Sequence, residues 1–358
     1  MGVFDKILSS DETLFKNEVS LSYDYIPKLI PYREKSQFAI ARCIKPLFAE
    51  MNGKNAIIFG LPGVGKTVAT KHILSEMEDQ TDDIIPIYVN CWQKNTSYKI
   101  FLDICYQLDY KFTHNKRTEE LFAVIKGIIN KKSAVFVFDE IDKAEDQGFL
   151  YSILEEIYRK SLICITNYKS WISSMDKRIM SRFVPEKIEF LPYNKHETGE
   201  IIKERKDLAF RPNVWEDEAV NKVCEKTYEL KDIRTGLFLL KESAFSAEEE
   251  SRKKITKTDV DKATSKLHDF KTKKIDDLKG EEKSILDIIK DNSPARIGDL
   301  YNIYQKSGGK TSYKTFQRRI DKLQENNFIK VKKQVGGIEG TTTLVYYDTT
   351  VKNLNDFS

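Results

Sequence analysis

The chain has little that would suit an extracellular or a membrane protein. Its 358 residues include only five cysteines, an odd number without a C-x-x-C pair, and four histidines far apart in the sequence. This pattern argues against a disulfide framework and against a zinc site built from neighbouring residues. The first residues lack the apolar core of a signal peptide, and no apolar run approaches the length of a membrane span. We therefore expect a cytoplasmic protein without a membrane partner, whose cysteines are mostly buried as small apolar side chains.

A strong net charge is also absent. Lys and Arg number 59 against 55 Asp and Glu, which leaves a net charge of +4. A chain with so small a net charge is not a polycation, so any affinity for nucleic acid must come from a local basic patch. The length is sufficient for two or three domains with well-buried cores.

The most specific motif in the chain is GLPGVGKT at residues 60–67, which fits G-x-x-x-x-G-K-[ST] without substitution. The apolar run 56–59 before it predicts a strand and residues 68–77 after it predict a helix, which is the context of a phosphate-binding loop. The glycines allow the backbone to turn its N–H groups towards an anion, and the helix presents its positive end. Lys66 is expected to reach the β- and γ-phosphates, and Thr67 to hold Mg²⁺.

Polar side chains follow two predicted strands. The apolar run 134–138 is typical of a central parallel strand, and ligands bind at the carboxyl ends of such strands. Asp139 is expected to bind Mg²⁺ and Glu140 to polarise the attacking water; a solvated acidic turn is the alternative. Asn167 ends the next strand, 162–166, where it orients the same water, contacts the γ-phosphate or only forms a turn.

Three arginines are candidates for contact with the γ-phosphate. Arg178 or Arg182 either reaches the nucleotide of a neighbouring subunit, as arginine fingers do, or forms a surface salt bridge. Arg234 lies at the start of a predicted lid helix, from which it either contacts the phosphates of its own nucleotide or is a helix-surface charge. The sequence leaves these alternatives open.

The pattern of predicted elements changes twice along the chain. An irregular arm, 1–35, precedes a helix over 36–51, which Pro46 interrupts and whose apolar positions are Phe38, Ala41, Ile44 and Phe48. Strands and helices then alternate, which predicts an α/β fold with a doubly wound parallel sheet. From about residue 194 the pattern is all-helical, and the charged residues 271–280 predict a linker. We therefore divide the chain into a nucleotide-binding core, a helical lid and a third domain, at residues 1–193, 194–270 and 271–358.

The sequence pattern of the third domain predicts a winged helix. Its pattern is three helices followed by two strands that a glycine-rich turn at 336–340 separates. In the third helix Ser312 can cap the first turn, and Phe316, Ile320 and Leu323 share one face. The predicted helices are 281–291, 296–305 and 312–326, and the predicted strands are 328–335 and 341–347.

Basic charge is concentrated on the third helix and on the strand that follows it. Residues 303–334 contain nine Lys or Arg against two Asp or Glu. A helix that enters the major groove, with a wing on the backbone, needs this distribution. A solvated basic face and a winged helix that binds protein are the alternatives. The residues expected to contact DNA are Lys314, Thr315, Arg318, Arg319, Lys322, Lys330, Lys332 and Lys333.

Together these motifs resemble the archaeal origin-recognition family of AAA+ replication initiators, which is related to eukaryotic origin-recognition and helicase-loader subunits. The arm YIPKLIPYRE at 25–34 is similar to the family's entry motif, in which prolines and aromatic residues cradle adenine. GLPGVGKT, FDEID at 138–142, Asn167, the segment 178–193 and Asp232-Ile233-Arg234 are similar to Walker A, Walker B, sensor 1, box VII and sensor 2. The resemblance implies an AAA+ core, an all-α lid and a C-terminal winged helix.

The resemblance also implies roles for individual residues. ATP or ADP with Mg²⁺ would be the cofactors, Thr67 and Asp139 the metal ligands, and Glu140, Asn167, Arg182 and Arg178 the catalytic candidates. The initiator-specific insertion that contacts DNA is expected within residues 90–116. The implied nucleotide contacts are Gly60, Pro62, Gly63, Val64, Gly65, Lys66, Thr67, Val68, Asp139, Arg234, Ile26, Tyr32, Arg33 and Tyr193.

These expectations describe a nucleoid-associated protein of the cytoplasm that binds duplex origin DNA and uses slow ATP hydrolysis as a switch. Paralogous initiator subunits and the replicative helicase are the implied protein partners. The alternatives are a DNA-binding regulator in which the nucleotide is structural, and a signalling ATPase whose winged helix contacts protein.

Overall fold

A computed structural model describes residues 13–276, 280–325, 328–334 and 342–347. The chain divides into two compact units, 1–263 and 264–358. The predicted turn at 336–340 lies outside the described residues. Within the described part of the chain, no helix is long and apolar enough to cross a membrane.

The first unit contains the predicted parallel sheet. Its five strands run in the order β2-β3-β4-β1-β5, and every neighbouring pair is parallel. Strands β3 and β4 are buried along their whole length, because helices cover both faces of the sheet. The strands are β1 (Ala56–Gly60), β2 (Ile84–Asn90), β3 (Ser133–Asp139), β4 (Lys160–Thr166) and β5 (Glu186–Phe190).

Two apolar clusters hold the helices to the sheet. Ile57 belongs to the cluster with the helices Ser97–Gln107, Thr118–Ile129 and Gly148–Glu156, whereas its neighbour Ile58 belongs to the cluster with the helices Glu34–Ile44 and Lys66–Gln80. Successive residues of a strand point to opposite faces, so β1 contributes to both clusters. The helices of this layer are α1 (Glu34–Ile44), α2 (Lys66–Gln80), α3 (Ser97–Gln107), α4 (Thr118–Ile129), α5 (Gly148–Glu156), α6 (Trp171–Ser174) and α7 (Lys177–Phe183).

The predicted helix over 36–51 is wrong in its second half and in part of its apolar face. Helix α1 ends at Ile44, and Pro46 lies in the first turn of the 3₁₀ helix Lys45–Ala49. Of the predicted apolar positions Ile44 is buried, whereas Phe38 and Phe48 are 68% and 51% exposed. Ile40, Cys43 and Leu47, which were not predicted, are buried beside Ile44.

Three helices and the first part of a fourth form the lid of the first unit. They are α8 (Lys195–Ala209), α9 (Asp217–Leu230), α10 (Ile233–Glu249) and α11 (Lys257–Asp276). Gly236 allows them to pack closely, because a Cβ there would lie 2.4 Å from Ile202 Cδ1 and 2.5 Å from Thr227 Oγ1. The predicted linker 271–280 is helical through Asp276, since α11 continues into its charged sequence.

The arm was predicted to be irregular, but its residues 13–21 pack on the lid. Leu14, Phe15 and Leu21 are buried in the apolar cluster of the lid helices. The backbone N–H groups of Lys16 and Asn17 both donate to the carbonyl oxygen of Ala209, at 2.8 and 3.0 Å. The arm is therefore fixed to the lid before it reaches the core.

The second unit has the predicted helices and strands, with one further strand. Its antiparallel sheet has the order β6-β8-β7, and the short β6 was not predicted. Phe316, Ile320 and Leu323 are buried, and Ser312 Oγ accepts the N–H of Thr315 at 3.3 Å, as predicted. The elements are α12 (Gly280–Asn292), β6 (Ala295–Arg296), α13 (Ile297–Lys306), α14 (Tyr313–Glu325), β7 (Ile329–Gln334) and β8 (Thr342–Tyr347).

Candidate nucleotide site and nucleic-acid interface

A cavity of about 400 Å³ lies at the carboxyl ends of β1, β3 and β4, in the size range of small-molecule sites. The predicted phosphate loop, the sheet, the arm and the lid all contribute to its wall. The predicted site residues that line it are Ile26, Gly63, Gly65, Lys66, Thr67, Val68, Asp139, Glu140, Asn167 and Arg234.

The loop 60–67 holds a buried ammonium group at its centre. Lys66 is 7% exposed, and its Nζ donates to the carbonyl oxygens of Gly60 and Leu61 and to Asn167 Oδ1, each at 2.8 Å. Burial lowers the pKa of Lys66 to about 8, against the opposing effect of Asp139. The loop thus concentrates positive charge at Lys66 Nζ, and a bound anion can take the place of these neutral oxygens as its hydrogen-bond acceptor.

A hydroxyl and a carboxylate meet at the end of the loop. Thr67 Oγ1 donates to Asp139 Oδ2 at 2.6 Å, and Tyr88 Oη donates to the same oxygen at 2.7 Å. Mg²⁺ prefers oxygen ligands and is typically held by one or two carboxylates together with phosphate oxygens. The Thr67 hydroxyl and the Asp139 carboxylate supply oxygen ligands of this kind.

Glu140 and Asn167 both line the cavity. Glu140 has a φ of 53°, and its N–H donates to Asp139 Oδ1 at 2.8 Å. Burial, together with the charge of Asp139, raises the pKa of Glu140 above its usual value. A carboxylate with a raised pKa is a better proton acceptor than a solvated one.

The lid contacts the loop directly at Gly63. The N–H of Ile233 donates to the Gly63 carbonyl oxygen at 3.3 Å, and Asp232 Oδ1 caps the helix at the N–H of Arg234 at 2.9 Å. The side chain of Arg234 is half exposed and lines the cavity, with its Nε 3.5 Å from Asp232 Oδ1. The N-terminus of α10 therefore lies at the phosphate loop.

Several predicted nucleotide contacts lie outside the cavity wall. Arg33 is buried, with its Nε donating to Val64 O at 3.1 Å, its Nη2 to Leu191 O at 2.7 Å and its Cζ 3.8 Å from the ring centre of Tyr193. These contacts place Arg33 behind the loop, and its direct contact with a nucleotide stays a prediction. The predicted residues that do not line the cavity are Gly60, Pro62, Val64, Tyr32, Arg33 and Tyr193.

Tyr25, which belongs to the arm motif at 25–34, lines the cavity. Other wall side chains were not singled out from the sequence, among them Arg205 of α8, Lys71 of α2 and Tyr88 of β2. The Nζ of Lys71 lies 4.6 Å from the ring centre of Tyr88, beside Asp139. Their positions depend on how distant segments pack, so no local motif indicates them.

The two finger candidates lie on α7, away from the cavity wall. Arg178 is exposed and pairs with Asp176 at 3.2 Å. Arg182 pairs with Glu155, and its Cζ lies 5.1 Å from the ring centre of Tyr151. Both arginines are accessible to a neighbouring molecule, and the geometry does not select one of them.

In the second unit, the predicted DNA contacts of α14 divide into two sets. Lys314 and Arg318 are exposed. Arg319 instead pairs with Glu281 of α12, and Lys322 pairs with Glu282 at 2.7 Å. Thr315 is half-buried and Lys330 is exposed, while the side chains of Lys332 and Lys333 lie outside the described part of the chain.

Comparison with known proteins agrees with these features. Residues 49–166 match the family model of an AAA domain, and residues 199–265 match that of a Cdc6 AAA+ ATPase-type lid domain. The chain is 30% identical to ORC1-type DNA replication protein 1 of Sulfurisphaera tokodaii, over 90% of this chain and 86% of that protein. The chain belongs to the family of ORC1-type DNA replication proteins. ORC1-type DNA replication protein 2 of Methanosarcina acetivorans is 28% identical, over 95% and 94% of the two chains.

Solved structures with lower identity show that the fold is that of this ORC1-type family. The structure of the Aeropyrum pernix ORC1 protein in complex with DNA has a TM-score of 0.73 and 23% identity, covering 95% of each chain. The Aeropyrum pernix ORC2 protein, solved as ADPNP-ADP complexes, has a TM-score of 0.69 and 18% identity, covering 93% of this chain and 94% of that one.

Proposed function

We propose that this ORC1-type protein is an ATP-dependent replication initiator that binds duplex DNA at origins. The convergence of Lys66, Thr67, Asp139, Asn167 and Arg234 on one cavity carries the proposal. These residues come from four separate segments of the chain and meet between the core and the lid. An initiator that uses nucleotide as a switch needs a site that core and lid share. A nucleotide bound to both parts favours the arrangement of core and lid that it binds more tightly.

The nucleotide would be ATP or ADP. The positive φ angles of Gly63 and Gly65, +72° and +90°, let the loop wrap an anion, and Lys66 supplies the positive charge. Thr67 and Asp139 would hold Mg²⁺, which neutralises negative charge on the phosphates when it is bound. The hydroxyl and carboxylate already in contact there are the oxygen donors that such a site requires.

Hydrolysis would be slow in an isolated molecule. Glu140 would accept a proton from the attacking water at its carboxylate, and Asn167 would orient that water. Arg178 or Arg182 of a neighbouring copy or paralogue would complete the site, and arginine fingers are worth roughly 10³–10⁵ in rate in GTPases. The ATPase would therefore be weak and act as a conformational switch.

Duplex DNA would bind through the second unit, with the core as a further contact. Lys314 and Arg318 are exposed cations of α14, the helix expected in the major groove, and Lys322 is exposed as well but pairs with Glu282. A cytoplasmic, nucleoid-associated protein with paralogous initiator subunits and the replicative helicase as partners fits this role. The Aeropyrum pernix ORC1 protein, which was solved in complex with DNA, has the same fold.

The Lys66→Ala variant tests the nucleotide site. We expect it to abolish ATP binding measured by titration calorimetry, because the loop loses the ammonium group that lines the cavity. DNA binding by the second unit should persist, which shows that the chain still folds. Lys99→Ala, which changes an exposed lysine of α3, is the matched control. Tight ATP binding by Lys66→Ala would refute the site assignment.

The pairing of Arg319 and Lys322 with glutamates is the observation that favours a second candidate. A winged helix with some of its cations engaged suits a signalling ATPase that contacts protein. Phosphate contacts make DNA affinity fall steeply with salt. Weak and salt-insensitive DNA association would therefore favour this candidate, or a regulator that carries a structural nucleotide.

A further inference from the structure

The two ends of the arm are attached to different parts of the first unit. Leu14 and Leu21 are buried in the lid cluster, and Glu18 pairs with Lys241 of α10 at 2.7 Å. Further along, Ile30 is buried in the cluster of α1, α2 and β1, and the carbonyl oxygen of Lys28 lies 3.0 Å from His72 Nε2 on α2. Residues 22–26, which connect these attachments, line the nucleotide cavity. They form a strap between lid and core.

One lid side chain holds this strap. Arg205 of α8 donates from Nη1 to the Ser20 carbonyl oxygen at 3.1 Å, and its Cζ lies 4.9 Å from the ring centre of Tyr25. Arg205 and Tyr25 both line the cavity. Arg205 is half-buried, and burial lowers the pKa of its guanidinium; a cation–π contact is stronger where the cation is partly desolvated.

The chemistry of this part of the wall differs from that of the phosphate loop. Tyr25, Ile26 and Leu237 offer an aromatic ring and apolar side chains, whereas Lys66 and Thr67 offer a cation and a hydroxyl. Aromatic and apolar surfaces suit a planar heterocyclic base, and they bind it with least loss of entropy when they are held in place beforehand. A residue that fixes Tyr25 should therefore affect the binding of the base and not the binding of the phosphates.

We propose that Arg205 is a positioning residue that fixes the strap 22–26 to the lid, so that the base of the nucleotide meets a preformed wall. The inference rests on the proposed nucleotide function. The phosphates would bind to the loop of the core, and the base would bind to a wall that belongs to the lid through Arg205. The affinity for the base therefore depends on the position of the lid, whereas the affinity for the phosphates alone does not.

The test compares ATP with inorganic tripolyphosphate, which lacks the base, by titration calorimetry in the presence of Mg²⁺. We expect Arg205→Ala to weaken ATP binding about tenfold, which corresponds to the loss of one partly desolvated cation–π contact and one hydrogen bond. Tripolyphosphate affinity should stay within twofold of wild type. Arg205→Lys keeps the cation and should restore part of the ATP affinity. Lys203→Ala, on the same helix but exposed and paired with Glu200, is the control.

A double variant tests whether Arg205 acts through the strap. If it does, Tyr25→Leu should lose as much ATP affinity as Arg205→Ala, and the two changes together should lose little more. Additive losses, or an equal loss of ATP and tripolyphosphate in Arg205→Ala, would overturn the inference while leaving the nucleotide function standing. A wild-type protein that binds neither ligand would overturn the proposed function and this inference with it.

Discussion

At the scale of single residues, hydrogen bonds to both carboxylate oxygens fix the orientation of Asp139. Its Oδ2 accepts hydrogen bonds from both Thr67 and Tyr88, whereas Oδ1 accepts the N–H of Glu140. Groups that orient a metal-binding carboxylate commonly change metal affinity 10–100-fold when they are removed. Tyr88 is therefore expected to set the orientation of Asp139 even though it follows no motif.

The Tyr88→Phe variant tests this role. It removes only the hydroxyl, so we expect the fold to persist and the affinity for ATP with Mg²⁺ to fall about tenfold. Affinity for ATP in the presence of EDTA should be unchanged, because the loop itself is intact. Tyr106→Phe, at an exposed tyrosine of α3, is the control. An equal loss with and without Mg²⁺ would show that Tyr88 supports the loop and not the carboxylate.

A second residue-scale prediction concerns Asp259, which is fully buried in the lid. Burial alone would raise its pKa, but hydrogen bonds from Arg252, Thr256 and Ser246 together lower the pKa of Asp259 well below its usual range. A lowered pKa means that the stabilisation is present above the ordinary aspartate pKa, at about pH 4, and is lost as the pH falls further.

We therefore expect Asp259→Asn to destabilise the lid by about 2 kcal/mol at pH 7, less than for a fully buried pair because Arg252 is partly exposed. Thermal unfolding followed from pH 7 to pH 2 measures the effect. The gap between wild type and variant should close below about pH 4. Asp261→Asn, at an exposed position of the same helix, should leave the profile unchanged. A gap that is constant down to pH 2 would contradict the assignment.

Residues close in sequence were predictable, and residues that meet across elements were not. The cavity residues 65–68 follow one another in the chain, and their context of strand and helix identifies them. Arg205 and Arg319 offer no such signal, because a helical arginine looks the same in the sequence whether it reaches an arm, a glutamate on another helix or DNA. Arg33 is the opposite case. Its motif predicted a nucleotide contact, whereas its hydrogen bonds go to carbonyl oxygens behind the loop.

At the scale of elements, the contact between the phosphate loop and the N-terminus of α10 joins core and lid. A Cβ on Gly63 would lie 1.8 Å from Asp232 Oδ1, and the φ of +72° is unfavourable for any other residue. The closeness of the two elements thus depends on the absence of a side chain at this position.

Gly63→Ala should separate the lid from the loop and weaken ATP binding at least tenfold, because Arg234 moves with α10. Small-angle scattering and calorimetry of the variant measure the two effects. Gly199→Ala is the matched control, since Gly199 is helical with no atom within 4 Å of an added Cβ, and it should stabilise α8 by about 1 kcal/mol. Wild-type affinity in Gly63→Ala would refute the role of this contact.

Two element-scale errors in the sequence interpretation have the same cause. Strand β5 was not predicted, because it is an edge strand whose residues Glu186, Lys187 and Glu189 are exposed and charged. The charged residues 271–276 were predicted as a linker, although they continue a helix. Charge indicates exposure, and exposed segments form regular structure when their neighbours in the fold support it.

At the scale of the whole molecule, the sequence indicated an α/β core, a helical lid and a C-terminal domain, because each has its own pattern of predicted elements, and the family resemblance implied that the core is of the AAA+ type. The structure divides the chain between residues 263 and 264, within α11, where continuous helix leaves no break in the sequence pattern. The role in replication depends on both units, since one carries the candidate nucleotide site and the other the exposed cations Lys314 and Arg318.

The measurement that tests the central claim most directly is a genome-wide footprint of the protein in its source organism. Wild type should be compared with Lys314→Ala/Arg318→Ala, which changes exposed cations, and with Arg319→Ala, which breaks the pair with Glu281 and reports on folding of the second unit. We predict a few discrete sites at replication start points, lost in the double variant. Occupancy that is diffuse, confined to promoters, or unaffected by the double variant would contradict an initiator that reads duplex DNA with its winged helix.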